Sequence, residues 1–338
     1  MRAWIVDPPP VPPLTGSDVA LREVELPDPE PGPGEVRVRV AACGVCRTDL
    51  HLAQGDLPPH RPRTVPGHEI VGFVDEIGRG SDRFALGDRI GIAWLRSTDG
   101  RCRWCRRGQE NLCPNARFTG WDADGGYADY AVVPEAYAYR LPEALEDAVA
   151  APLLCAGIVG YRALRRAALP PGGRLGIYGF GASAHLVIQV AVHQGATVHV
   201  LTRSPEAQQL ALSLGATSAG DTYADPPEKL DSAVIFAPVG EVVPVAMRAL
   251  DRGGVLTIAG IHLTDVPPLN YERELFLERE IRSVTANTRA DGEEFLHLAA
   301  AIGVDPHVHP RPLSAARATL QDLARDAYTG AAVLVPSR

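Results

Sequence analysis

What the sequence lacks narrows it first. No run of about eighteen consecutive apolar residues occurs, the length a helix needs to cross a lipid core, so no membrane partner is expected. The first ten residues hold three prolines and no apolar segment of secretory-signal length, which leads to the expectation of a cytoplasmic protein. Positive charge is not in excess. Lys and Arg number 33 against 41 Asp and Glu, a formal charge of -8, which disfavours nucleic acid or an anionic membrane as the main partner. The densest basic run, Arg101, Arg103, Arg106 and Arg107, reads as a solvated loop within that acidic balance. Cysteine is missing from the second half: all six (Cys43, Cys46, Cys102, Cys105, Cys113 and Cys155) lie in the first, three of them within twelve residues. In a reducing compartment such clustering points to metal ligation more than to a disulfide framework. There is no internal repeat, and low complexity is confined to proline-rich 8–13 and 27–33, which read as extended surface connections.

The 338 residues exceed the size at which one hydrophobic core stops growing, so two domains are expected. With 46% apolar and 22% charged residues the chain falls in the ordinary globular class. Residues 35–41, EVRVRVA, alternate as a half-buried strand does, and short strand-like runs at 70–74 and 89–93 are separated by Gly, Pro and Asp. This mostly antiparallel β texture extends to about Cys155. Beyond it, short apolar strands alternate with helical stretches, the pattern of a parallel sheet built from βαβ units. Strands are predicted at 174–178, 197–201, 231–236, 254–259 and 281–285. A helix is predicted through Gln194, and another opens at Ser204 as N-cap with Pro205 at its first position. After about residue 287 come an amphipathic helix, 292–302, and a final strand, 332–335. The predicted fold class is α/β, a mostly-β domain at 1–155 followed by a doubly wound parallel sheet at 156–287 and a C-terminal segment at 288–338.

Gly179-Phe180-Gly181-Ala182-Ser183-Ala184 matches G-x-G-x-x-A between a predicted strand and a predicted helix. There Gly179, Gly181, Ala182 and Ser183 would let backbone and helix N-terminus approach a pyrophosphate. The second strand of such a unit usually ends in an acidic residue that binds the adenosine ribose. Here it ends in Thr202, Arg203 and Ser204, a cation and two hydroxyls that suit a 2′-phosphate, so NADP(H) is expected in preference to NAD(H). The alternative is that Arg203 is a solvated residue before a helix.

A catalytic zinc keeps three protein ligands and an open position. The candidates are Cys46, His68 and Cys155, in the segments Cys43-Gly-Val-Cys46-Arg-Thr48-Asp49-Leu-His51, Gly67-His68-Glu69 and Pro152-Leu-Leu-Cys155-Ala-Gly. With these three segments in this order, the chain resembles the zinc-dependent medium-chain alcohol dehydrogenases over essentially its whole length. The resemblance implies a GroES-like catalytic domain, a Rossmann cofactor domain, and a last segment returning to the catalytic domain. It makes Cys46, His68 and Cys155 the ligands, with Glu69 and Asp49 as carboxylates that orient a ligating imidazole and tune the metal. Cys43 matches no ligand and reads as a small buried thiol. Asp99-x2-Cys102-x2-Cys105-x7-Cys113 matches the spacing of the family's structural zinc loop, with Asp99 where the family usually has cysteine. Asp99 is expected to complete that site as a harder donor than thiolate, the alternative being a vacant or weakened loop.

The resemblance also implies a reaction: hydride exchange between NADP(H) and a small-molecule alcohol or aldehyde, with zinc easing loss of the hydroxyl proton. Thr48 and His51 would relay that proton. Trp94 matches a position lining the substrate cleft, where an indole should favour slim or planar primary alcohols and aldehydes; otherwise it is core. Val159 and Ala331 depart from the family's usual threonine and arginine near the cofactor. His307 and His309 lack a third partner in sequence and read as surface or strand residues. Residues 254–263 include the kind of edge strand through which such enzymes pair, so a homodimer or homotetramer is expected. Two competing readings remain: zinc-dependent reduction of another polar double bond, an imine or a polyol ketone, and a non-catalytic dinucleotide sensor. Intact Thr48, His51 and zinc ligands disfavour the sensor.

Overall fold

The alternation at residues 35–41 becomes the central strand of a sheet. In the computed structural model, which describes residues 1–261 and 263–337, strand Glu35–Gly44 buries Val36, Val38 and Val40 on one face. Arg37 faces the other way and pairs with Asp75 and Glu76 of the adjacent strand Ile70–Ile77. The side-chain period of two places every second residue on the core face, so sequence alternation fixes which face is wet. Strand Glu35–Gly44 runs antiparallel to Ile70–Ile77, Tyr130–Pro134 and Ala331–Val335. The seven-stranded sheet continues through Arg89–Ile92 to Ala138–Arg140 on one side and to Val308–Pro312 on the other. This sheet belongs to a first compact unit made of Met1–Cys155, Ala286–Ala300 and the chain from Pro306 onward. Its core gathers Ile5, Val36, Val38, Leu52, Ile70, Ile90, Tyr127 and Leu334, among others.

The second unit, Ala156–Thr285 with Ala301–Asp305, is a six-stranded sheet in which every neighbouring pair is parallel. The strand order is Ser218–Gly220, Thr197–Leu201, Arg174–Tyr178, Leu230–Ile235, Leu250–Ile258, Glu280–Ser283. The first strand in sequence lies mid-sheet, with the chain winding outward in both directions, which is the doubly wound Rossmann order. Crossover helices include Ala182–His193 and Pro205–Ser213. The second opens as its sequence implies, with Ser204 Oγ accepting from Ala207 N at 3.2 Å and Pro205 at the first turn.

Two features differ from the sequence reading. The strand within 254–263 is not an edge: Leu250–Ile258 is paired on both sides, and the edges of the sheet are Ser218–Gly220 and Glu280–Ser283. An apolar run such as 254–259 reads as buried, and burial is what a central strand has; of that segment His262 lies outside the described residues. The helical stretch Asp147–Ala167, continuous through a wider turn at Leu153–Gly157, also escaped the strand-dominated reading of that region. By length and composition alone it could cross a membrane, but most of it is buried inside the protein. Arg162, Arg165 and Arg166 interrupt its apolar run.

Candidate functional site

Cys46 sits at the N-cap of helix Arg47–Gln54, His68 and Glu69 immediately precede strand Ile70–Ile77, and Cys155 lies in the wide turn Leu153–Gly157. Folding brings one donor atom from each of Cys46, His68, Glu69 and Cys155 within 4.8 Å of one another. His68 is fully buried, and its Nε2 has no hydrogen-bond partner. A buried orphan nitrogen is costly unless something else binds it. Its other nitrogen is engaged: Nδ1 donates to Asp49 Oδ1 at 3.1 Å, which leaves the Nε2 lone pair facing the thiols. The Cys46 thiol is held well below its ordinary pKa by the Cys155 thiol hydrogen-bonded to it and by the His68 imidazole, whereas Cys155 is pushed up by the same pairing. Two sulfurs, one imidazole nitrogen and a carboxylate oxygen make a donor set that fits a zinc ion.

Asp49 is 2% exposed and accepts from Gly67 N at 2.9 Å and Cys46 N at 3.0 Å, so it ties both ligand-bearing segments together. Glu69 packs where strand Glu35–Gly44 ends. A Cβ on Gly44 would stand 1.8 Å from Glu69 Oε2, so only glycine admits that carboxylate. Cys43 is fully buried behind the cluster and is not part of it.

Thr48 Oγ1 lies 3.8 Å from Cys46 Sγ. His51, one helical turn on, shares its face, and its Nδ1 is 2.7 Å from Asp56 Oδ2. Asp56 was not singled out by the sequence, because a carboxylate five residues on in a loop carries no spacing signature.

Trp94 meets His68 edge-on, with ring centroids 4.8 Å apart. It also heads a nearly parallel stack that the sequence did not disclose: Phe118 at 4.9 Å and 20°, Trp121 at 5.9 Å and 12°. His60 stacks on Trp121 at 4.0 Å and pairs with Asp122 at 2.7 Å. All three aromatic side chains are half-buried. A half-wet flat apolar wall beside a candidate metal ligand can receive a flat or slim apolar group.

The second cluster, Asp99, Cys102, Cys105 and Cys113, is likewise within 4.8 Å and lies nearer the surface. Asp99 accepts from Cys102 N, Asn115 Nδ2 and Arg101 N at 2.9–3.0 Å, and these donors hold its carboxyl below the usual range. Desolvation pushes the Cys105 thiol up to about 11. His307 and His309 meet edge-on at 5.0 Å and His309 Nε2 bonds Thr329 O, and among the described residues they belong to no group of three or more metal-ligating side chains.

In the second unit Gly179 adopts φ +84° in the turn after the first strand, its N–H bonded to Leu201 O at 2.9 Å. A Cβ there would meet Ala237 N at 2.8 Å. Gly181 caps helix Ala182–His193, and the space where its side chain would be is open, as a backbone cradle for a pyrophosphate needs to be. Ala182 and Ser183 form the first turn of that helix. Thr202 is buried with its N–H on Gly220 O, and Arg203 is exposed. Ser204 Oγ caps its helix and donates to Glu206 at 2.7 Å, so its hydroxyl is already committed and a carboxylate stands beside it.

A soft-donor metal cluster in a β unit and a dinucleotide turn in a Rossmann unit define the architecture of a metal-dependent dehydrogenase. Residues 32–143 match the alcohol dehydrogenase GroES-like domain family and residues 182–301 the zinc-binding dehydrogenase family. The chain is 58% identical over 301 residues to the "Probable alcohol dehydrogenase AdhA" of Mycobacterium tuberculosis (strain CDC 1551 / Oshkosh), covering 88% of this chain and 87% of that one. Among solved structures, a thermostable alcohol dehydrogenase from Pyrobaculum aerophilum aligns with a TM-score of 0.89 at 26% identity, covering 99% of each chain. A cinnamyl alcohol dehydrogenase from Sorghum bicolor aligns at 0.88 and 26%, covering 99% and 97%. The chain belongs to the zinc-type medium-chain dehydrogenase/reductase family and is an oxidoreductase.

Proposed function

We propose that this protein exchanges a hydride between NADP(H) and a primary alcohol or its aldehyde, with zinc held by Cys46, His68 and Cys155. The observation that carries this reading is the orphaned Nε2 of buried His68 among the two thiols. A zinc ion there supplies Lewis acidity that eases loss of the substrate's hydroxyl proton, and the dinucleotide supplies or accepts the hydride. Asp49 keeps His68 in the tautomer that offers Nε2. Thr48 Oγ1, next to Cys46, takes up the proton and passes it toward His51. There Asp56 Oδ2, 2.7 Å from Nδ1, orients the imidazole that receives it. Glu69 tunes the cluster from its place against Gly44. Trp94, Phe118 and Trp121 line the apolar side of the substrate, favouring slim or planar groups.

Gly179, Gly181, Ala182 and Ser183 cradle the pyrophosphate, and Thr202, Arg203 and Ser204 receive the 2′-phosphate. Arg203 is the group that supports NADP(H), since Ser204 is shared with Glu206. Asp99, Cys102, Cys105 and Cys113 hold a structural zinc that staples their loop. The chain acts as a homodimer or homotetramer in the cytoplasm. The exposed apolar residues Ile261, Val266, Tyr271, Phe276 and Ile281 on the second unit support a covered surface there. The test is steady-state turnover of the zinc-loaded protein with NADPH and NADH against primary aldehydes, ketoses and imines. Aldehyde reduction with kcat/KM higher for NADPH is expected. Inert aldehydes with active imines or ketoses overturn the substrate assignment, and tight NADPH binding without turnover of anything favours the sensor.

A further inference from the structure

Asp49 accepts four hydrogen bonds, and one comes from a residue that neither the metal ligands nor the proton path uses. Oδ1 takes Gly67 N and His68 Nδ1, and Oδ2 takes Cys46 N and the hydroxyl of Tyr127 at 3.2 Å. Four bonds fill the accepting capacity of an ionised carboxylate. Tyr127 is 78 residues from Asp49 in sequence and fully buried. Its own backbone is pinned on both sides: its N–H donates to Pro66 O at 3.0 Å, on the segment leading to His68, and its C=O accepts from Trp4 N at 2.8 Å. The phenol therefore cannot drift away from the carboxylate without disturbing the segment that carries the ligand. In a buried site, a donor so fixed decides where the Asp49 carboxylate points, and the carboxylate decides where His68 points.

We propose that Tyr127 is a positioning residue that sets the metal affinity of the Cys46–His68–Cys155 cluster by orienting Asp49 against His68. The inference rests on the zinc reading of that cluster. A purely structural tyrosine would affect folding stability alone. One that orients the ligand also affects how tightly the folded protein holds metal, and the ligand field the metal experiences.

The test uses the purified full chain loaded with zinc, and separately with cobalt(II). Tyr127→Phe removes one oxygen and keeps the ring. It is expected to weaken zinc binding at this cluster about tenfold in chelator competition, the lower end for a group orienting a ligating histidine. It should also shift the visible absorption bands of the cobalt form. Tyr139→Phe is the comparator, because the Tyr139 hydroxyl is buried but bonds Asn287; zinc affinity and cobalt bands there should match the unaltered protein. A third variant carries 4-aminophenylalanine at 127, which keeps the ring and a weaker donor, and covers the case in which Tyr127→Phe does not fold. Affinity between those of tyrosine and phenylalanine, or where phenylalanine is missing, below tyrosine with shifted cobalt bands, supports the proposal. Zinc affinity within about twofold of the unaltered protein with unchanged cobalt bands overturns it, as does equal weakening by Tyr139→Phe. Failure of the unaltered protein to bind metal at Cys46, His68 and Cys155 instead overturns the zinc reading itself.

Discussion

Replacing Asp49 with asparagine is the sharpest perturbation of the proposed zinc centre, because it changes charge and hydrogen-bond capacity with almost no change in shape. The aspartate accepts from four donors, two on each oxygen, in a site 2% exposed. An amide has a single carbonyl oxygen, so two of the four donors must face its NH2 group. If the carbonyl serves Gly67 N–H and His68 Nδ1–H, the Tyr127 hydroxyl can turn round and accept, and Cys46 N–H is left orphaned. That costs about 1–3 kcal/mol of stability. If the carbonyl serves the other pair, Gly67 N–H is orphaned at similar cost, and His68 escapes its clash only by moving its proton to Nε2, which destroys it as a ligand. Both arrangements also remove the negative charge that strengthens His68 as a donor. Zinc affinity should fall about 10–100-fold, equivalent to about 1.4–2.7 kcal/mol. The assay is metal analysis of purified Asp49→Asn with chelator competition at fixed pH. Zinc should be lost from the Cys46 cluster and retained at the Asp99 cluster. Unchanged zinc content at both clusters with an unaltered dissociation constant would falsify the role assigned to Asp49.

Trp94→Ala opens the flat wall beside His68, so kcat/KM for branched secondary alcohols should rise at least about tenfold relative to slim primary ones; an unchanged ratio in a substrate panel places Trp94 in the core only. Arg203→Ala should lower the ratio of kcat/KM for NADPH over NADH, and Glu206→Gln should raise it, because the Glu206 carboxylate bonded to Ser204 would repel a 2′-phosphate; opposite signs in cofactor kinetics refute the phosphate pocket. The Glu110 carboxyl is pushed up by burial, but the Arg289 side chain and backbone N–H outweigh this and leave it below the ordinary 4.5. A depressed acid pKa gives stability that is fully present above about pH 4.5 and lost as pH falls through the folded value. Glu110→Gln should therefore lower the neutral-pH melting temperature, by about 1 kcal/mol of stability given the partial exposure, and flatten the acid limb of the melting curve; an acid limb of unaltered slope counts against this pair. Gly44→Ala, whose Cβ would collide with Glu69 Oε2, should lower both stability and zinc content; a variant with full metal and normal melting would mean that the carboxylate moves freely.

How much of this was legible in the sequence follows the range of the forces involved. Strand Glu35–Gly44 announced itself because a half-buried strand writes its two faces into alternate residues. The Gly179 turn did so because the left-handed φ and close backbone approach leave few alternatives to glycine. The proposed ligands Cys46, His68 and Cys155 were readable only as segments resembling a family, since 22 and 87 residues separate successive members. Their convergence is a property of the fold. Tyr127 and the Phe118–Trp121 wall were not legible at all. They act through tertiary packing and leave no periodicity, and in one sequence a buried phenol looks like any other core aromatic. The assignment of the sheet edge to 254–263 failed for a related reason: apolarity reports burial, and the neighbouring edge strand Glu280–Ser283 instead carries charged residues at both Glu280 and Arg282. Charge on an exposed edge is what blunts unwanted pairing, so that strand is polar where the sequence reading looked for apolarity.

The two four-residue clusters illustrate how the same spacing of donors serves different ends. Around His68 the Asp49 carboxylate and the Tyr127 hydroxyl are buried and bonded to one another, and His68 Nε2 is left without a hydrogen-bond partner. Around Asp99 the cysteines are partly exposed except Cys113, and the carboxylate is held by two backbone N–H groups and Asn115 rather than by a buried partner. Those three donors fix Asp99 in place and hold its carboxyl below the usual range, so in the proposed structural zinc site a preorganised hard oxygen donor would stand in for the thiolate usual in the family. Preorganisation would offset part of the lower affinity of oxygen for zinc, and three thiols leave one sulfur fewer to oxidise than four would. With zinc bound as proposed, these hydrogen bonds would hold the loop's shape alongside the metal, and its fold would depend less on zinc than that of a four-thiolate loop.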